Sequence, residues 1–305
     1  MHQLYILTGP TAVGKTSLSI QWAQENNAEI LSCDSLLLYR GMNIGTAKPT
    51  MEEMESVWHH GIDVVPVNYQ YSVKEYLDMS VHIVESILQR GKNILIVGGS
   101  GFYLKSFLAP VVDNIEVSDA IKEQVRLIEE EQGLIGLVEK LQSFNPDGIH
   151  DIDLNNPRRV VKALQRCMMT GKTLAVLKED FEKSSYPFED YKKKVCLLQR
   201  DEHELKERIV QRVKIMIEDG LVDEVKGLIM EGLLDNPSAT NAIGYRETID
   251  WIAEGDGDLD KLEAEIIKNT NQLVAKQRKW FRHQLNPDNI LLLSDSISNP
   301  EKLLF

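Results

Sequence analysis

Residues Gly9-Pro10-Thr11-Ala12-Val13-Gly14-Lys15-Thr16 fit G-x-x-x-x-G-K-[ST], the pattern of a loop that wraps phosphate. Glycines there leave room for backbone N–H groups around phosphate oxygens, and a helix N-terminus behind the loop adds partial positive charge. Lys15 would reach the terminal phosphates, and the Thr16 hydroxyl could ligate Mg²⁺, the one cofactor implied. A di- or triphosphate ligand is expected. The loop alone does not separate an ATP-binding kinase, a GTPase or another transferase. Three absences narrow the choice. The apolar run Ile94-Leu95-Ile96-Val97 leads into Gly98-Gly99-Ser100-Gly101 and not into a metal-binding Asp, no Asn-Lys-x-Asp guanine reader occurs, and no arginine-rich lid is evident. A GTPase falls away. A kinase of a nucleotide or small molecule is weakened and stays as the alternative.

The next residue suited to chemistry is Asp34. It ends a short apolar run, at the strand edge where open α/β sheets bind ligands. A carboxylate there could take a proton from a nucleophile attacking a phosphate-bearing substrate. It could equally cap a helix or join a structural ion pair. Arg208 and Arg212 stand four residues apart and so share one helix face; with Glu204 they could form a solvated salt-bridge ladder. His59 and His60 are adjacent, share no face and lack a third ligand, so a packing role is expected rather than a metal. Cys33, Cys167 and Cys196 form no Cys-x-x-Cys pair and read as buried small apolar residues.

The elements that must position these groups follow from periodicity. Apolar runs at Leu4–Leu7, Glu29–Cys33, Ile62–Val65 and Ile94–Val97 predict four strands. Helices fit between them at Lys15–Asn26 and Val73–Arg90, the second opened by a Ser72/Glu75 capping box. Strand and helix in alternation imply an α/β fold, a parallel sheet of the P-loop type flanked by helices. From Ser118 to about Thr173 the apolar residues recur at helical spacing, which predicts an inserted all-helical subdomain. Val195–Leu198 returns to strand character, Asp201 caps a helix to about Asp219, and Ile290–Leu293 could be a last strand. The expected division is a phosphate-loop core of 1–114 plus 190–305 and a helical insertion of 115–189.

Composition bounds the rest. The 305 residues are 43% hydrophobic and 27% charged, which is ordinary for a globular chain. No apolar run approaches the roughly 18 residues of a membrane span. Met1-His2-Gln3 leads directly into a strand, so no signal peptide, no membrane and a cytoplasmic location are expected. With 47 acidic against 34 basic residues the net charge is −13, which on average repels a polyanion. Two windows depart from that average. Between 157 and 172 the charged residues are Arg158, Arg159, Lys162, Arg166 and Lys172; between 271 and 283 they are Lys276, Arg278, Lys279 and Arg282, with Trp280 and Phe281 among them.

Taken together, several motifs carry a resemblance over nearly the whole chain. They are Gly-Pro-Thr-Ala-x-Gly-Lys-Thr, then Asp-Ser-x-x-x-Tyr-x-Gly-Met-x-Ile-Gly-Thr-Ala-Lys-Pro from Asp34, then His59-His60-x-x-Asp63, then Val97-Gly98-Gly99-Ser100-Gly101-x-Tyr103. Asn156-Pro157-Arg158-Arg159, Thr170-Gly171-Lys172, Gly244-Tyr245-Arg246 and Trp280-Phe281-Arg282 continue it. In order and spacing these resemble the bacterial tRNA dimethylallyltransferase family, or IPP transferases.

The resemblance implies transfer of a dimethylallyl group from dimethylallyl diphosphate to the exocyclic amino nitrogen of the adenosine 3′ of the anticodon. Diphosphate is then a leaving group on the phosphate loop, with Thr11 also in contact. It further implies Asp34 as base, Lys15, Thr16 and Arg212 on the diphosphate, and Arg208 as a weaker match. The target nucleotide would meet Asp34, Ser35, Leu36 and Leu37. Ser100 stands where many members carry Thr and belongs with this RNA-facing set. Arg158, Arg159, Val160, Val161 and Lys162 would lie along the tRNA anticodon stem-loop, joined by Lys276, Arg278 and Arg282, although Ala275-Lys276-Gln277 replaces the frequent Lys-Arg-Gln. A monomer is expected.

Overall fold

The computed structural model describes residues 2–113, 115–150, 152–255, 257–294 and 300–305. Strand β1 (Gln3–Thr8) runs into the glycine loop and helix α1 (Lys15–Glu25), followed by β2 (Ala28–Ser32), α2 (Met51–Ser56), β3 (His59–His60), α3 (Val73–Gln89), β4 (Asn93–Gly98) and α4 (Gly101–Lys105). Three helices follow, α5 (Asp119–Phe144), α6 (Pro157–Thr170) and α7 (Leu174–Glu182). The chain then returns through β5 (Lys192–Arg200), α8 (Glu202–Glu218), α9 (Leu221–Met230), α10 (Pro237–Thr240), α11 (Tyr245–Ala253), α12 (Leu259–Gln284) and β6 (Asn289–Leu293).

The strands form one six-stranded sheet in the order β3-β2-β4-β1-β5-β6, every pairing parallel. Parallel pairing needs helical crossovers that cover the sheet, which explains why β1, β2 and β4 read as continuous apolar runs. Leu7, Ile30, Leu95 and Leu198 pack with Leu18, Trp22 and Ala23 of α1 in one core. A second core joins α8, α9, α11 and α12 to Tyr39, Met42 and Val67. Because all strands run the same way, the loops after β1, β2 and β4 emerge along one sheet edge, where such folds bind ligands.

Local signals largely hold. Ser72 and Glu75 cap α3 reciprocally, and the Asp201 carboxylate accepts from the backbone N–H groups of His203 and Glu204. All three cysteines are buried and unbridged. The predicted strand at Ile62–Val65 is a correction. Pairing with β2 is confined to His59 and His60, after which Gly61 and Asp63 turn left-handed at φ 76° and 53°. That turn sends the N–H groups of Asp63, Val64 and Val65 to the carbonyls of Leu37 and Leu38, so these apolar residues pack a loop against a loop.

The chain divides into two compact units, Met1–Ala109 with Pro187–Phe305, and Pro110–Tyr186. The second is helical, with α5 broken at Gly133, and its core is Val125, Leu137, Leu141, Val160, Ala163, Leu164 and Cys167. Val160, expected along the tRNA, is 0% exposed in that core; the apolar stripe that makes α6 amphipathic takes it inward. Val161 packs half-buried against the same cluster and has little surface to offer either. Arg158, Arg159 and Lys162 are exposed, while Arg166 pairs with Asp113 at 2.7 Å and Lys172 with Asp180 at 2.7 Å.

Candidate active site

The phosphate loop is held in shape before any ligand arrives. Ala12 is left-handed at φ 62°, a strained setting for a residue with a side chain, and its carbonyl accepts from Arg208 Nε at 2.9 Å. Val13 is buried in the sheet core and leaves only its backbone available. Lys15 Nζ donates to the carbonyls of Gly9 at 2.9 Å and Pro10 at 2.8 Å. Burial lowers the Lys15 pKa to about 8, with the Arg212 charge acting the same way and Asp34 opposing. Arg212 is likewise depressed by burial and supported by Asp34. Two partly desolvated cations thus face one carboxylate. That excess of positive charge suits a polyanion.

Asp34 follows β2, and its Oδ1 accepts from the Leu36 N–H at 3.0 Å, an Asx turn that fixes the carboxylate at the strand's end. The loop after β4 lies against the same backbone. Cys33 N donates to Val97 O at 2.7 Å and Ser100 N to Cys33 O at 3.3 Å. Gly98 permits this approach, because a Cβ there would stand 2.1 Å from Cys33 O. The Ser100 hydroxyl accepts from the Ser35 N–H at 3.0 Å. Its part is to hold the Asp34 loop.

Two cavities open along this edge. One, of about 460 Å³, is lined by Lys15, Thr16, Leu37, Arg208 and Arg212 and is polar where it meets the phosphate loop. The other, of about 680 Å³, is walled by Tyr39, Tyr71, Tyr103, Phe102 and Trp280. Tyr103 stacks on Tyr76 with centroids 3.9 Å apart, and Tyr76 donates to Ser32 O at 2.9 Å, so this wall is anchored to β2. Thr11, Asp34, Thr46 and Arg212 line both cavities. A carboxylate and a guanidinium therefore stand where a polar chamber and an aromatic one meet.

The expected residues are brought together in part. Ser35 and Leu36 line the aromatic chamber beside Asp34, whereas Leu37 lines the phosphate chamber. The alternative Glu204–Arg208–Arg212 ladder does not form, since Glu204 pairs with Arg200, Arg208 holds Ala12, and Arg212 Nη2 donates to Thr46 O at 3.0 Å. Lys276 lines the aromatic chamber, Arg278 donates to Arg200 O at 3.3 Å, and Arg282 is exposed. His59 Nδ1 contacts Val57 O at 2.7 Å and His60 Nε2 contacts the Glu29 carboxylate at 2.6 Å.

Gln277 escaped the sequence reading. Its Oε1 accepts from the Thr11 N–H at 3.0 Å and its Nε2 donates to Gly99 O at 3.3 Å, tying α12 to the loops after β1 and β4. Its signals were its place in the second basic window and the Gln it keeps of the frequent Lys-Arg-Gln. Thr46 was legible as part of a motif, but its carbonyl contact with Arg212 was not.

Comparison with known proteins identifies the family. The family model described as IPP transferase matches residues 37–284. A protein of Opitutus terrae named tRNA dimethylallyltransferase is 49% identical over 94% of this chain and 92% of its own length. One of the same name from Bacillus pumilus is 38% identical over 92% and 87%. The solved tRNA isopentenylpyrophosphate transferase of Bacillus halodurans superposes with a TM-score of 0.71 at 30% identity, covering 99% of this chain and 94% of that one. A eukaryotic dimethylallyltransferase shares the fold, with a TM-score of 0.80 at 23% identity over 97% of this chain and 75% of its own. The chain belongs to the IPP transferase family.

Proposed function

We propose that this chain transfers the dimethylallyl group of dimethylallyl diphosphate to the exocyclic amine of the adenosine 3′ of a tRNA anticodon. The observation that carries the reading is the junction of the two chambers at Asp34 and Arg212. The diphosphate would occupy the phosphate-loop chamber and the adenine the aromatic one. The allylic carbon and the amine would then meet at the junction, beside Asp34. An adenine in an anticodon loop must leave its stack to enter such a chamber, and aromatic walls repay part of the unstacking.

The amine lone pair is delocalised into the ring and needs both orientation and a base. As the nitrogen bonds to the allylic carbon, the C–O bond breaks and its electron pair leaves with the diphosphate. The proton passes from nitrogen to the Asp34 carboxylate. Lys15, Arg212 and the loop N–H groups meet the charge that develops on the departing oxygens, so they act more strongly on the transition state than on the bound substrate.

The Thr16 hydroxyl lines the phosphate chamber, and no group of three metal-binding side chains occurs among the described residues. That donor fits Mg²⁺, which is commonly held by one or two protein groups together with phosphate oxygens and water. When bound it would supply further neutralisation of the leaving diphosphate. On the second unit, Arg158, Arg159 and Lys162 are exposed on α6 and suit phosphates of the anticodon stem.

The test is incubation with labelled dimethylallyl diphosphate, ATP and unmodified tRNA. Label is expected in the tRNA. Phosphoryl transfer from ATP without label in RNA would replace this reading with a kinase.

A further inference from the structure

Glu224 lies in the first turn of α9, away from both chambers, yet its carboxylate gathers four donors. Oε2 accepts from the N–H groups of Asn43 at 3.0 Å and Ile44 at 2.7 Å. Oε1 accepts from the Gly45 N–H at 3.2 Å and from the hydroxyl of Tyr245 at 2.6 Å. Three successive backbone N–H groups turned to one carboxylate form an anion-binding nest, filled here by the protein's own side chain. Tyr245 is fully buried, and its ring closes the other side of the turn, since a Cβ on Gly45 would stand 2.5 Å from it.

The next residue in that turn is Thr46, which lines both chambers and whose carbonyl accepts from Arg212 Nη2 at 3.0 Å. Arg212 is a long side chain whose head would otherwise sample several rotamers. Its anchor is the backbone of the turn, which Glu224 holds from α9 while the Thr46 hydroxyl, donating to Met42 O at 2.7 Å, closes it locally. We infer that Glu224 is a positioning residue that acts through the 43–46 turn to hold the Arg212 guanidinium in place for the diphosphate, with Tyr245 orienting the carboxylate. This rests on the reading that Arg212 binds diphosphate.

Glu224→Gln is nearly the same size but presents an NH₂ donor where donors already converge, so the nest loses half its acceptors. The test is a double-variant cycle read by calorimetric binding of inorganic pyrophosphate, using wild type, Glu224→Gln, Arg212→Ala and the double variant. Glu224→Gln alone should weaken pyrophosphate binding about tenfold, and raise KM for dimethylallyl diphosphate while leaving KM for tRNA unchanged. In the Arg212→Ala background the same substitution should weaken binding by less than about twofold. A purely structural role predicts the full loss in both backgrounds, and that result overturns the inference, as does wild-type binding by Glu224→Gln. If Arg212→Ala itself binds pyrophosphate like wild type, the assignment of Arg212 to the diphosphate fails. Should Glu224→Gln not fold, Tyr245→Phe, which removes one of the four donors, enters the same cycle with the same two outcomes.

Discussion

Lys15 is charged where burial disfavours charge, and under the proposed function this should make diphosphate binding depend on pH in a calculable way. With its pKa near 8 in the ligand-free loop, about nine-tenths of the ammonium is protonated at pH 7 and about one-tenth at pH 9. A bound diphosphate holds the proton on, so only the protonated form binds well. The association constant of pyrophosphate should therefore fall about tenfold from pH 7 to pH 9, equivalent to about 1.4 kcal/mol. Pyrophosphate titrates in the same range. The control is Lys15→Arg, whose guanidinium stays charged throughout, and the quantity compared is the difference between the two calorimetric pH profiles.

The stability sign is opposite to that of an ordinary ion pair. A lysine whose folded pKa lies below its unfolded value costs stability. The cost is full below pH 8 and relieved as pH rises toward 10.5. Lys15→Met should then abolish pyrophosphate binding while raising stability at pH 7 by about 1 kcal/mol, the charging cost of about 3 kcal/mol being offset by two loop carbonyls left to water. Parallel pH profiles for wild type and Lys15→Arg, or a Lys15→Met variant less stable than wild type, would refute this account of the loop.

Three further outcomes follow from the structure. Glu29, 2% exposed, accepts from Arg90, His60 and Lys92, and these partners hold its pKa down to about 2 against the cost of burial. Its stabilisation is thus present above about pH 5 and lost as pH falls toward 2; because Arg90 and Lys92 are partly solvated, Glu29→Gln should cost about 1–2 kcal/mol in urea denaturation at pH 7, the gap narrowing by pH 3. Gly98→Ala forces a Cβ onto Cys33 O, backbone against backbone, and should cost about 3 kcal/mol and most of the turnover, whereas Gly227→Ala, in α9 with open space around it, should leave turnover unchanged. Raising salt from 50 to 200 mM, conditions that screen phosphate contacts, should weaken tRNA binding at least about tenfold; affinity indifferent to salt removes the two basic windows from the interface.

The fold was legible where the chain obeys one period at a time. Alternating apolar runs and amphipathic stretches located five of the strands and the helical insertion, and the Ser72 and Asp201 caps located two helix starts. The failures share a cause. Ile62–Val65 has strand composition, but two left-handed residues redirect its hydrogen bonds to a neighbouring loop, and such pairing leaves no periodic trace. Val160 sits among basic residues in sequence yet on the opposite side of the helix, because 3.6-residue periodicity takes it into the core. At the site, the strand–loop–helix setting of Gly9–Thr16 could be read because its signal is local. Gln277 and Glu224 could not, since each works on backbone atoms more than 170 residues away, and a carboxylate bound to backbone N–H groups is indistinguishable in sequence from one on the surface. The net charge of −13 proved to describe only the average, with Arg158, Arg159 and Lys162 exposed together on one helix.

The central claim is that Asp34 removes the proton where the two chambers meet. The measurement that tests it most directly is single-turnover transfer of labelled dimethylallyl to an unmodified anticodon stem-loop by wild type and Asp34→Asn, with the modified nucleoside located by mass spectrometry. Wild type should modify the adenosine 3′ of the anticodon and release one diphosphate per transfer. Asp34→Asn should bind both substrates and transfer at least about a hundredfold more slowly. Transfer by Asp34→Asn at the wild-type rate would contradict the account.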